Sequence, residues 1–210
     1  MINLTLKNYI EQMIIPIYLQ FDPSHSPEHV NQVIQNSFEI ATDLNVHLDI
    51  VYTVAAYHDI GMCDGRKNHE AKSKAIVLED PYLPQFFTAS QILLIGDAVE
   101  DHRASLTTEP RSIYGKIIAE ADRDLDFQRI LTRTLTYAIT VKGINGFDEL
   151  LQEAYTYIAN KYVTNRCFQL WLTYPKNSQG LAEITQQIHD PYAFEESFTL
   201  IYQKLKQEGL

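Results

Sequence analysis

Apolar residues recur at three- and four-residue steps along almost the whole chain, and no segment sustains a two-residue alternation. A strand turns alternate side chains to one face, whereas a helix gathers every third or fourth, so the pattern confines the chain to an all-α fold. Val30, Val33, Ile34, Phe38 and Ala41 form one stripe, with Ser26 as N-cap and Pro27 as first helical residue. Val51, Val54, Ala55 and His58 form the next, ended near Gly61. Residues 68–79 predict a third helix, broken by Asp80-Pro81, and Ile92, Ile95 and Val99 mark a fourth. Ser112 opens a fifth through Ile113, Ile117 and Ala121, and Phe127 to Ala138 mark a sixth. After Gly146 the spacing predicts helices over residues 150–158, 168–172 and 184–188, an exposed loop over 174–180, and a last helix from Asp190 and Pro191 to Gln207. The reading is a bundle of about eight to ten helices. Its main domain spans 1–145 with a core at 20–130, and residues 146–210 form a C-terminal helical extension packed on it.

The 210 residues are enough to bury a sizeable core. A formal net charge of -10 argues against a nucleic-acid binder, which needs a surplus of Lys and Arg facing the phosphates. A small phosphorylated substrate is compatible with it, because a metal or a local cationic pocket overrides the average. Cys63 and Cys167 stand far apart and read as free thiols of a reducing compartment. The N-terminal stretch is interrupted by Lys7, Glu11 and Gln12 and lacks a basic leader and cleavage site. No run approaches the roughly 18 apolar residues of a membrane span. The expectation is a cytoplasmic protein.

Chemistry enters with the histidines and acids. His58 follows Val51, Val54 and Ala55 by seven, four and three residues, which puts it on the buried face. Asp59 sits in the last turn, where the helix dipole disfavours a carboxylate. A divalent cation satisfies both, since imidazole nitrogen and carboxylate oxygen are ordinary ligands and the ion offsets the cost of burying the anion. On this dipeptide alone, a core histidine beside an exposed aspartate is the commoner explanation. His29 flanks the preceding stripe, His69 opens the third helix, His102 ends the fourth in register with Ile95 and Val99, and Asp122 ends the fifth. Five helices thus each offer a potential ligand at one end.

In order, His29, then His58-Asp59-Ile60-Gly61, then Asp122 resembles the H…HD…D signature of the HD-domain phosphohydrolase superfamily. The flanking text DPSHSPEH, AAYHDIG, NHEAKS, EDHRAS and GKIIAEADRDLD is similar to blocks of its small bacterial members. The resemblance covers about residues 20–130 and implies an HD-type helical bundle. It implies one divalent ion held by His29, His58, Asp59 and Asp122, with His69 and His102 matching the positions that complete a second site bridged by Asp59. His25, four residues before His29, is a rival for the first position. Mn, Fe, Zn, Co and Ni suit mixed imidazole and carboxylate ligands, and Mg suits them less.

The implied activity is metal-dependent hydrolysis of a phosphate ester, a nucleotide or related small phosphorylated metabolite. His58 and Asp59 stand at its catalytic centre, Asp59 also as acceptor of the water proton. Lys116, Arg103 and, more weakly, Arg66 are candidates to steady the phosphate. Each is equally well a solvated surface cation. No GYP-containing block follows HDIG, which disfavours the cyclic-dinucleotide branch. The acidic pair that follows the HD region in guanosine-tetraphosphate hydrolases is missing too. A non-catalytic metal- or nucleotide-binding regulatory module is the alternative. His47 and His189 read as surface residues, Cys63 as a structural thiol, and Trp171 as packing for the tail helices.

Overall fold

A computed structural model describes residues 2–103, 108–164 and 169–210. Cys167 and Phe168 lie outside the described residues. Ten α-helices and several short 3-10 and π segments make up the described chain, with no strand among the described residues. No helix among them is long and apolar enough to cross a membrane. The chain forms two compact units, Met1–Arg123 and Asp124–Leu210.

The first unit opens with α1 (Leu4–Tyr9), a π turn over Ile10–Ile14 and a 3-10 segment over Ile15–Gln20 containing Pro16. Leu6, Ile10, Ile14 and Tyr18 are all buried, four residues apart, so one apolar stripe runs through all three segments. Helix α2 (Pro27–Ala41) starts as expected: the Ser26 side chain accepts from His29 N, and Pro27 lies in the first turn. Helix α3 (Leu48–Tyr57) is buried on every side from Ile50 onward, which makes it the central rod of the unit. Helices α2, α5 (Ala89–Glu100) and α6 (Ile113–Ala121) pack around it, and α4 (His69–Glu79) packs on α5. Thr88 and Gln91 close a capping box on α5, and Ser112 caps α6 through Gly115 N. Gly61 meets the start of α4 so closely that any Cβ would overlap the His69 carbonyl oxygen.

The second unit holds α7 (Phe127–Thr140), α8 (Phe147–Ile158), a π segment (Ala159–Thr164), α9 (Pro175–His189) and α10 (Pro191–Gln207). Its own core includes Phe127, Leu131, Leu135, Ala154, Ile158, Ile184, Phe194 and Phe198. Helix α7 contributes to this core, although the sequence groups it with the residues before 145. Asp190 caps α10 by accepting from Tyr192 N and Ala193 N, as its Asp-Pro start predicts.

Two expectations fail here. Of residues 174–180, only the N-cap Tyr174 lies outside α9 and the rest form its first turns, because Pro175 sits in the first helical turn, where its missing N–H leaves no bond unmade. Gly180 belongs to this helix for a steric reason: a Cβ there would stand 2.5 Å from the Leu125 carbonyl oxygen. Conversely, residues 169–172 are not helical; the apolar spacing of Leu170 and Leu172 reflects partial burial without helix.

Candidate metal centre

Five helix ends of the first unit meet at one point. His29 lies in the first turn of α2, and His58 caps the C-terminus of α3 with Asp59 next to it. His69 is the first residue of α4, His102 follows the end of α5 by two residues, and Asp122 caps the C-terminus of α6. His58, Asp59 and His102 are buried. The Asn36 side chain donates to the Ala121 carbonyl at 2.9 Å and ties the end of α6 to α2. Three helix C-termini, with their partial negative charge, and two carboxylates therefore surround the cluster, an arrangement that favours a cation.

The donor atoms fall into two sets that share one carboxylate. His29 Nε2 and His58 Nε2 are 3.2 Å apart, and Asp59 Oδ2 lies 3.6 and 3.2 Å from them. Asp122 Oδ1 joins this set at 3.2 Å from His29 Nε2 and 3.7 Å from His58 Nε2. On the other side, His69 Nε2 and His102 Nε2 are 3.1 Å apart, with Asp59 Oδ1 at 3.1 and 3.3 Å. Ligand atoms held at about 2.1 Å from one ion lie about 3.0–3.4 Å from each other between right-angled and tetrahedral geometry. Most of these separations fall in that interval.

The tautomers are fixed by the backbone. A carbonyl only accepts, so His58 Nδ1–H donates to Ala55 O at 2.8 Å, His102 Nδ1–H to Val99 O at 2.6 Å and His69 Nδ1–H to Arg66 O at 3.0 Å. Each Nε2 then presents its lone pair to the cluster, the usual arrangement of a metal-ligating histidine. Lone pairs facing at 3.1 Å repel unless positive charge lies between them. Burial opposes a charge on His29, but Asp122 and Asp59 overcome it and raise its pKa to about 10. His102 is likewise raised against burial, to about 9, chiefly by Asp59. The hydrogen bond to Asp59 raises His69. Burial pushes Asp59 up, yet the imidazoles, His58 foremost, hold it far below the usual carboxylate range. A proton meets this demand for positive charge in the metal-free chain; a divalent ion, bonding to several donors at once, meets it better. The residues present fit the ion.

His25, the rival first ligand, precedes α2. Its Nε2 lies 3.8 Å from Asp59 Oδ2, slightly farther than His29, and its Nδ1 stands 3.1 Å from both Asp22 oxygens. The three candidate phosphate cations each rest on a carboxylate: Arg103 Nη1 on Glu70 Oε1 at 2.8 Å, Arg66 Nη2 on Asp22 Oδ2 at 3.1 Å, and Lys116 on Glu109. Glu70 Oε2 also lies 3.2 Å from His69 Nδ1, so Arg103 reaches the second set through one carboxylate. Cys63 is exposed, as are His47 and His189.

Sequence reasoning missed Tyr18. Its buried hydroxyl donates to Ala56 O at 2.8 Å and accepts from Asp59 N at 3.3 Å, closing the frayed end of α3 just where the His58-Asp59 pair leaves it. The signal was present in the four-residue spacing of Leu6, Ile10, Ile14 and Tyr18, which the charged residues between them obscure.

Comparison with known proteins bears on the family and the fold. Residues 28–125 match the HD domain family. The crystal structure of a predicted HD superfamily hydrolase from an uncultured Thermotogales bacterium is similar in fold, with a TM-score of 0.51 and 19% sequence identity over 96% of this chain and 92% of that one. Among curated proteins, none matches the chain.

Proposed function

We propose, from the match of residues 28–125 to the HD domain family, that this chain is a metal-dependent hydrolase of phosphate esters, acting on a nucleotide or related small phosphorylated metabolite. The observation that carries the reading is the division of Asp59: one oxygen faces the His29–His58 pair and the other faces the His69–His102 pair. His29, His58, Asp59 and Asp122 would hold one divalent ion, and Asp59, His69 and His102 a second. Bound there, the ions supply neutralisation of phosphoryl charge and a lowered pKa for water.

The chain's own residues do the rest. The backbone carbonyls of Ala55, Val99 and Arg66 hold the three imidazoles in the ligating tautomer. With both Asp59 oxygens turned to the imidazole pairs, Asp122 is the carboxylate that would take the proton an attacking water loses. Arg103 is more than half exposed and free to swing from Glu70 to a phosphate, as is Arg66 from Asp22. Lys116, paired with Glu109, serves the same end from α6.

The test is turnover of a panel of nucleoside mono- and diphosphates and simple phosphate esters by metal-replete protein. Metal-dependent phosphate release, abolished in Asp59→Ala, is the expected result. Binding of metal without turnover across the panel would favour a regulatory module instead, and turnover that survives Asp59→Ala would overturn the assignment of the site.

A further inference from the structure

The last turn of α5 is acidic at the end where a helix favours cations. Asp97 and Glu100 lie in it, Asp101 caps it, and it carries no basic residue of its own. Carboxylates placed there face the negative end of the dipole and repel one another, so the turn would fray if left to itself. His102, the next residue, has nonetheless to keep its Nε2 at 3.1 Å from His69 Nε2 and 3.3 Å from Asp59 Oδ1. Its ring is anchored on this same turn, through Nδ1–H to Val99 O at 2.6 Å.

Two cations from neighbouring segments close the turn. Arg111, just before the Ser112 cap of α6, donates from Nε at 3.0 Å and Nη2 at 2.8 Å to Oδ1 of the buried Asp101, and from its backbone N–H to Oδ2 at 2.7 Å. The same guanidinium reaches the Asp97 carbonyl at 2.9 Å, Asp97 Oδ1 at 3.0 Å and Glu100 Oε2 at 2.7 Å. Only a planar fork of donors can hold a carboxylate, a helix carbonyl and two further acids together. Lys74, on α4 with His69, lies 2.8 Å from Asp97 Oδ1 and 2.7 Å from Glu100 Oε2, so both cations share those two oxygens. Gly96 gives Lys74 its passage, since a Cβ there would stand 3.2 Å from Lys74 Cγ. The ions thus join the two helices whose ends carry His69 and His102. Asp122, in the other set, ends α6, whose 9 residues put it about 13 Å from the Arg111 end.

We infer that Arg111 is a positioning residue for the second ion: it closes the acidic end of α5 and so holds His102 against His69 and Asp59. The inference rests on the reading of the cluster as a two-ion centre. The Arg111 side chain is 45% exposed, so its pairing adds little to overall stability. Its effect is local, on one histidine and one ion.

The test is a manganese titration of the full chain, with free and bound ion distinguished by electron paramagnetic resonance. In Arg111→Ala the dissociation constant of one ion is expected to rise about tenfold, as when a partner that orients a ligand is removed, and that of the other to stay unchanged. In a His102→Ala background, where the second site is already lost, Arg111→Ala should alter nothing further. Free guanidinium at a low, non-denaturing concentration should restore the lost affinity where sodium does not, and Arg111→Lys should restore it only in part. Two ions bound by Arg111→Ala as tightly as by the wild type would overturn the inference and spare the two-ion reading. A loss at both ions that persists in the His102→Ala background would do the same, making Arg111 a general structural residue. A wild-type chain that binds fewer than two ions would overturn the two-ion reading itself, and the inference with it.

Discussion

Gly61→Ala offers a way to remove half of the proposed metal centre without touching a candidate ligand. The new Cβ would overlap the His69 carbonyl oxygen and lie 2.5 Å from Ser73 N and 2.8 Å from Lys72 Cβ, all in the first turns of α4. Comfortable non-bonded separations are about 3.5 Å or more, so the start of α4 has to retreat by about 1 Å. His69 moves with it, and its 3.1 Å separations from Asp59 Oδ1 and His102 Nε2 open to about 4 Å, too wide for shared ligation of one ion. No residue of the other set lies on α4, so an ion that His29, His58, Asp59 and Asp122 would hold is expected to stay. The crowding itself costs about 1–3 kcal/mol, and the Gly61 N–H loses its 2.8 Å bond to Ser73 Oγ. Elemental analysis after growth in manganese should therefore fall from two ions per chain to one, and His69→Ala should give the same stoichiometry without the crowding. In chelator, the midpoint of thermal unfolding of Gly61→Ala should drop by about 2–4 °C for each kcal/mol. A variant that keeps two ions and an unshifted midpoint would refute the packing argument.

The pH response should reverse with metal. His29 and His102 hold protons in the folded, metal-free chain up to about pH 10 and 9, against an ordinary value of 6.5. Their stabilisation is fully present below pH 6.5 and is lost as the pH rises through those values. Chemical denaturation in chelator should show that decline, whereas metal affinity should climb over the same range as the ligand protons leave; a flat metal-free profile would contradict the shifts. Tyr18→Phe removes the hydroxyl that joins Ala56 O to Asp59 N, and metal affinity should weaken about tenfold with the stoichiometry unchanged; unchanged affinity in a competition titration would make Tyr18 a packing residue only. Gly180→Ala meets the Leu125 backbone at 2.5 Å and should destabilise the second unit by about 1–3 kcal/mol without loss of metal. Metal loss in parallel with the shift in melting would count against the independence of its effect.

The convergence of the candidate ligands was legible in the sequence because they sit at helix ends in register with apolar stripes. His58 follows Val54 and Ala55, His102 follows Val99, and Asp122 follows Ile118, so burial and direction could both be read from spacing. Their mutual distances could not, since each depends on how α2 to α6 cross. Resemblance to a known family was needed to join them. What escaped the reading was set by steric fit and by partner choice. Gly180 looks like a loop residue until Leu125 is seen against it. Arg103, Arg66 and Lys116 look free until Glu70, Asp22 and Glu109 are placed beside them. Tyr18 was hidden because Lys7, Glu11 and Gln12 interrupt the four-residue stripe of Leu6, Ile10 and Ile14 that leads to it.

The proposed role of Asp59 as a bridge is open to electron paramagnetic resonance of the manganese-loaded chain. One carboxylate between two ions predicts a spin-coupled pair in the wild-type protein, and loss of that coupled signal in Asp59→Ala. Manganese bound only as isolated ions, or not bound at all, would contradict the account.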